Sequence, residues 1–194
     1  MKTPQLFGSG PLSVRTMVEA DAPLMARWLS DPAVLQYYEG RDHPFDLTRV
    51  IDKFFGPEHE DVTPCIVSYE SADIGYLQFY PLEAWPEVLK EYGYPPDANV
   101  WGIDLFIGET DCWNRGIGTG LVKATVHYLQ ATFQPDHIVI DPHVWNLRAV
   151  RCYEKSGFHI VKLLPEHELH EGKHRDCWLM EYRPTANPRV AGTD

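Results

Sequence analysis

The chain has 194 residues, 44% of them hydrophobic and 23% charged, which is the size and composition of one soluble domain, and no apolar run approaches the roughly 18 residues that cross a bilayer. Lys and Arg number 17 against 28 Asp and Glu, a formal net charge of −11, which argues against nucleic-acid or membrane partners and for a cationic ligand. Residues 1–11 carry no apolar signal-peptide core, and Cys65, Cys112, Cys152 and Cys177 are too widely spaced for a CxxC zinc site, so the expected location is cytoplasmic.

In chain order, 12–17 reads as a first strand, and Asp21 is placed to cap a helix that opens with Ala22 and Pro23 and sets Leu24, Met25, Trp28 and Leu29 on one side. Asp31-Pro32 ends that helix. An aromatic turn, Tyr37-Tyr38-Glu39-Gly40, leads to a second amphipathic helix capped by Asp46, with Val50, Phe54 and Phe55 at helical spacing. Runs 64–69 and 74–80 form a hairpin through Glu70-Ser71-Ala72-Asp73. From 81 to 99 the pattern dissolves into prolines, aromatics and acids, a long functional loop or short helix on the substrate side.

Residues 100–107 then read as a strand, 116–133 as a long helix with Ile117, Leu121, Ala124 and Tyr128 on one face, and 137–140 as another strand, together a βαβ unit. A shorter helix over 146–156 stops at Gly157, and strands over 158–164 and 176–182 flank a polar, His-rich connection. The expected organisation is a single domain over 1–183 followed by a frayed tail, 184–194.

The chemistry concentrates in three places. Arg115-Gly116-Ile117-Gly118-Thr119-Gly120 opens the long helix, where glycines let backbone amides approach an anion and the helix dipole favours a pyrophosphate. The spacing fits neither a dinucleotide fingerprint nor a P-loop, and on the glycines alone a tight structural turn is an equal alternative. Asp104 interrupts the apolar 100–107 strand and Asp141 ends the apolar run 138–140, positions where a carboxylate must be paired, hydrated or used. Tyr153 shares a helix side with Ala149 and Asn146, although a core aromatic and a helix cap would explain Tyr153 and Asn146 equally.

Arg115, Gly118 and Gly120 match the Arg/Gln-x-x-Gly-x-Gly/Ala signature of the GNAT superfamily of N-acetyltransferases, and 146–158, from Asn146-Leu147-Arg148-Ala149 through Tyr153-Glu154-Lys155 to Gly157-Phe158, matches its second signature. Within that superfamily the chain resembles the aminoglycoside 6′-N-acetyltransferases, through Trp101-Gly102-Ile103-Asp104, Asp141-Pro142 and Arg151-Cys152-Tyr153-Glu154-Lys155, with Val62-Thr63-Pro64 and Ile74-Gly75-Tyr76 upstream. The resemblance implies a mixed α/β fold, with a twisted, mostly antiparallel sheet and a βαβ acetyl-CoA-binding core flanked by helices. It implies acetyl-CoA as co-substrate, no metal, and coenzyme contacts from Leu105, Phe106, Ile107, Arg115, Gly116, Ile117, Gly118, Thr119, Gly120, Asn146, Ala149, Tyr153 and Lys155. By the same resemblance Tyr153 protonates the departing thiolate, Asp104 is the candidate base and Asp141 belongs to the acceptor pocket. Tyr37, Tyr38, Trp85 and Trp101 are expected as walls against sugar rings and Glu91 as a further acid, with core packing the alternative for each aromatic.

His167, His170 and His174 with Glu166, Glu168 and Glu171 look like a metal cluster, but the spacing is not HExxH and a solvated connection is the expectation. Cys152 reads as packing. The expected function is acetyl transfer to the 6′-amine of an aminoglycoside by a monomer or homodimer. The alternatives are a related acetyltransferase for a siderophore hydroxylamine or a protein N-terminus, and a non-catalytic acetyl-CoA sensor.

Overall fold

A computed structural model describes residues 4–57 and 60–184. Eight strands, β1 (Gln5–Ser9), β2 (Leu12–Thr16), β3 (Thr63–Tyr69), β4 (Ala72–Pro81), β5 (Val100–Ile107), β6 (His137–Ile140), β7 (His159–His170) and β8 (Lys173–Tyr182), form one sheet in the order β1-β2-β3-β4-β5-β6-β8-β7. Six helices accompany them: α1 (Ala22–Trp28), α2 (Pro32–Leu35), α3 (Leu47–Phe55), α4 (Pro86–Tyr92), α5 (Ile117–Phe133) and α6 (Leu147–Lys155). Every strand pair is antiparallel except β5–β6, which α5 connects as the expected βαβ unit. No helix among the described residues is long and apolar enough to cross a membrane.

Period-two alternation sorts the central strands between two cores. Cys65, Val67, Leu77, Phe79 and Ile103 pack towards Leu121 and Leu129 of α5, while Ile66, Tyr76 and Phe106 pack towards Met25 and Trp28 of α1 and Val50 of α3. The parallel pair is short. Its register covers only Val100↔His137, Trp101↔Ile138 and Gly102↔Val139, because β6 runs into Asp141-Pro142 and proline has no N–H with which to continue a ladder. The second half of β5 therefore pairs with β4 alone.

Several expectations shift. Residues 5–9 form a strand, paired with β2 across Gly10-Pro11. Asp21 does not cap α1; its carboxylate accepts two hydrogen bonds from the buried Arg15 guanidinium, at 2.7 and 2.8 Å, and one from the Val18 amide at 2.9 Å. Asp46 does cap α3, through the Arg49 amide at 2.8 Å. On α5 the buried stripe is Ile117, Leu121, Val122, Thr125, Val126 and Leu129, with Ala124 and Tyr128 at its half-buried edge. The 81–99 segment contains α4, closed by Gly93 in the left-handed region at φ 88°.

The largest correction concerns the His-rich connection. It is strand rather than solvated loop: β7 and β8 continue to a turn at Glu171 (φ 51°) and Gly172 (φ 69°), whose positive φ at both central positions suits the right-handed twist of a hairpin. A bulge between Leu164 and Glu168 bends the outer half, and the Arg41 guanidinium donates to the Glu171 carboxylate at 2.8 Å, tying the arm tip to the 37–41 turn. Of the tail expected over 184–194, all but Pro184 lies outside the described residues.

Gly108, just past β5, is a position where only glycine fits: a Cβ there would lie 2.2–2.5 Å from three atoms of the Trp28 indole, which is 1% exposed. Gly108→Ala is expected to force the indole out of its slot and destabilise the protein by about 1–3 kcal/mol, measured by urea denaturation. A change under a few tenths of a kcal/mol would show that this packing is not constrained.

Candidate active site

The divergence of β5 and β6 opens a cavity of about 820 Å³, bounded by the starts of α5 and α6, the 37–39 turn and the arm. One end is a coenzyme-sized cleft. Gly116 caps α5 in the left-handed conformation at φ 78°, and the first amides of α5, which like those of any helix start have no intrahelical acceptor, stand at the positive helix end, an arrangement suited to an anion. Gly116, Ile117, Gly118 and Thr119 line the cavity. Arg115 and Gly120 do not: the Arg115 guanidinium sits over the Tyr69 ring at 5.9 Å, and Gly120 faces the Leu12 side chain.

Leu105, Phe106 and Ile107 form one wall, on the strand edge that β6 leaves free. Opposite them, Asn146 caps α6 by accepting from the Ala149 amide at 3.2 Å, and Ala149, Tyr153 and Lys155 follow along the lining. Arg148 stacks on Trp113 and Tyr37 at 4.0 and 4.4 Å, and Thr119 Oγ1 donates to Cys152 Sγ at 3.5 Å, joining α5 to α6. Tyr153 is 7% exposed, and burial raises its phenol well above the ordinary range, so it keeps its proton at neutral pH.

At the other end, Asp104 and Asp141 both line the cavity. Gln78 lies directly across the ladder from Asp104 and donates to Asp104 Oδ2 at 2.7 Å, while the Tyr76 hydroxyl donates to Gln78 Oε1 at 2.6 Å. This chain fixes the amide orientation. Burial and then the charge of Asp141 push Asp104 up to about 7, against the lowering effect of the Gln78 and Tyr80 hydrogen bonds. At Asp141 burial also opposes charge, but hydrogen bonds from His167 Nε2 at 3.0 Å and the Tyr92 hydroxyl at 2.8 Å outweigh it and hold the group below its usual value. Two neighbouring carboxylates are thus driven apart, one available to take a proton near neutrality and one fixed as an anion.

Tyr37 and Tyr38 line the cavity as expected. Trp101 does not: three residues from Asp104 on a strand, it projects from the opposite face and stacks on Phe133 at 4.0 Å. Trp85 packs edge-on to Tyr80 and lines a neighbouring cavity of about 290 Å³. Glu91 lies outside the main wall and connects to Asp141 through His167, whose Nδ1 is 3.0 Å from its carboxylate. Sequence reasoning missed Gln78, Tyr80, Glu39 and Glu168, which also line the cavity; a glutamine within the apolar 74–80 run was the available signal. His143 lines it too, stacked on Trp145 and pushed down to about 4 by burial and by neighbouring His170.

A family model described as an acetyltransferase (GNAT) domain matches residues 17–165. The chain is 31% identical over 153 residues, 76% of its length and 73% of the relative's, to an aminoglycoside N(6′)-acetyltransferase type 1 of Klebsiella pneumoniae. Its structure resembles that of AAC(6′)-Ib in complex with paromomycin and acetyl-CoA, with a TM-score of 0.76 and 26% identity over 95% of this chain and 100% of that one. A complex of AAC(6′)-Ib with coenzyme A and kanamycin superposes with a TM-score of 0.75 at 27% identity, covering 93% and 99% of the two chains. The chain belongs to the GNAT family of acetyl-CoA-dependent N-acetyltransferases.

Proposed function

We propose that the protein transfers the acetyl group of acetyl-CoA to a primary amine of a polycationic acceptor, the 6′-amine of an aminoglycoside. The observation that carries this reading is the pair of oppositely shifted carboxylates, Asp104 and Asp141, at the end of a cleft whose other end is a bare helix N-terminus. The pyrophosphate belongs at Gly116–Thr119, and the free edge of β5 at 105–107 offers backbone groups for an extended, amide-containing arm to pair with, as an added strand would. Arg148, Arg151 and Lys155, on the cavity side of α6, supply positive charge for phosphates.

A thioester is already activated, so the protein has to deliver a neutral amine, keep it in line with the carbonyl carbon and cap the sulfur as it leaves. Asp141, held ionised, attracts and orients the ammonium. Asp104 accepts its proton directly or through one water, the amine attacks the thioester carbonyl, and the C–S bond breaks as Tyr153 gives its phenolic proton to the sulfur. The nitrogen sheds its second proton once the N–C bond has formed, and that proton returns through water to the Tyr153 phenolate, so the cycle ends with Tyr153 neutral and with Asp104 carrying the first proton, which it loses to solvent. Glu39, also in the cavity lining, extends the negative wall towards the acceptor's remaining ammonium groups. A second reading, an amine that carries an apolar group, is favoured by the neighbouring cavity lined by Val62, Leu82, Trp85 and Val88. A non-catalytic sensor would not need Asp104 and Tyr153 in the lining of one cavity.

Thiol release followed against aminoglycosides with a free 6′-amine, aliphatic amines, hydroxylamines and peptides tests the acceptor class; turnover confined to peptides or hydroxylamines would overturn it. Tyr153→Phe keeps the ring and removes only the proton, so kcat should fall about 100- to 10,000-fold with coenzyme affinity nearly unchanged; a loss of less than threefold would make the residue structural. Asp104→Asn should lower kcat and abolish its rise with pH through about 7, since the base works only when ionised. Asp141→Asn should instead act mainly on KM. Gly118→Asp should weaken coenzyme binding in calorimetry by placing a negative charge at the pyrophosphate site, and unchanged affinity would move that site elsewhere.

A further inference from the structure

At the acceptor end, apart from the groups assigned to acetyl transfer, three side chains from two segments converge. His143 follows β6; Glu168 and His170 are alternate residues of β7 and so leave the same face of the arm. A ring nitrogen of each histidine and a carboxylate oxygen of Glu168 lie within 4.8 Å of one another, and His143 Nε2 is 3.3 Å from Glu168 Oε2.

The two rings are the unusual part. His143 is 4% and His170 3% exposed, and Nδ1 of His170 is buried with no hydrogen-bond partner among the described residues. A buried imidazole that leaves a nitrogen unmatched is unfavourable unless something else occupies it. His143 is held as a metal-ligating histidine commonly is: its ring stacks on Trp145 with centroids 5.2 Å apart, and its Nδ1 is 3.6 Å from the Cys177 thiol, which leaves Nε2 turned to Glu168. The segment carrying it is fastened to β8 by two backbone bonds, Val144 N to Asp176 O at 3.0 Å and Trp178 N to Pro142 O at 2.9 Å.

We propose that His143, Glu168 and His170 bind one divalent transition-metal ion, zinc foremost, which clamps the β7–β8 arm to the segment after β6. Two nitrogens and one carboxylate suit zinc, copper or nickel, whereas magnesium and calcium require more oxygens. Arg175 lies opposite Glu168 in the hairpin register, and its positive charge further disfavours a site that relies on electrostatics alone. Ligands of a tetrahedral zinc lie about 3.4 Å apart, so the cluster draws in by roughly an ångström, a movement for which the bulge between Leu164 and Glu168 gives room. Because His143 and Glu168 line the main cavity, the fourth coordination position, held by water, faces the acceptor end. The ion has a structural role and takes no part in acetyl transfer.

The experiment uses the full chain stripped with EDTA and dialysed. Calorimetry with Zn²⁺ should give one tight equivalent and thermal melting a raised Tm, and Co²⁺ should give the intense visible bands of a tetrahedral N/O site. His170→Asn and the milder Glu168→Gln, each checked for native circular dichroism, should weaken Zn²⁺ binding at least tenfold and erase the cobalt spectrum, while His174→Asn, at an exposed position of the same arm, should leave both intact. If Glu168→Gln and His170→Asn bind Zn²⁺ as tightly as the parent, if His174→Asn abolishes binding, or if the parent shows no one-to-one binding at micromolar Zn²⁺, the site is disproved.

Discussion

Everything that distinguishes this sheet from an ordinary antiparallel one follows from the early end of a single pairing. β5 and β6 share a parallel ladder over three residue pairs and then separate, because Ile140 is followed by Asp141-Pro142 and proline cannot supply the next donor. The second half of β5 keeps β4 on one side and opens to the cavity on the other. Buried backbone groups must be matched, so a free strand edge inside a cleft is a standing invitation to an extended ligand. The start of α5, with its bare amides, and the cavity side of α6, with Tyr153 and basic side chains, then enclose the opening.

The Asp104–Asp141 pair shows how neighbours, and not residue type, decide the state of a carboxylate. Asp104 and Asp141 are both buried enough for charge to be costly, but only Asp141 receives hydrogen bonds from both His167 and Tyr92. Asp104 has the amide of Gln78 and feels the charge of its neighbour, and so holds its proton to higher pH. The division of roles rests on α4, which brings Tyr92, and on the β7–β8 arm, which brings His167. These are the two parts of the chain whose sequence looked least structured.

That arm also shows why composition is a weak guide to conformation at a sheet edge. A run with Glu166, His167, Glu168, His170, Glu171, Lys173, His174 and Arg175 has the polarity of a loop, yet it is strand, because backbone pairing across a positive-φ turn at Glu171-Gly172 does not need apolar side chains. His170 is buried there and Leu169 exposed, the reverse of what hydropathy would assign, because His170 packs against His143 and Trp145 where the arm folds back. Asp21 makes the same point on a smaller scale: it stands where a cap belongs, but Arg15 on β2 lies within reach and a buried guanidinium takes both carboxylate oxygens.

Local information was enough for the elements that depend on it: the 100–107 and 137–140 strands, the caps at Asp46 and Asn146, the βαβ order, and the glycine-bearing start of α5. Signature residues in 115–120 and 146–158 carried the family and nominated Tyr153, while carboxylates set in apolar strands singled out Asp104 and Asp141, and all three reach one cavity. What depends on two distant segments meeting was decided by tertiary structure alone. Trp101 turned away because alternation along β5 puts it on the Phe133 side, Gln78 came to line the cavity because of the β4–β5 register, and the arm brought Glu168 to the lining and His167 to Asp141 because a hairpin folded back. Register and packing across the sheet set those positions, and neither is written in the periodicity of any one segment.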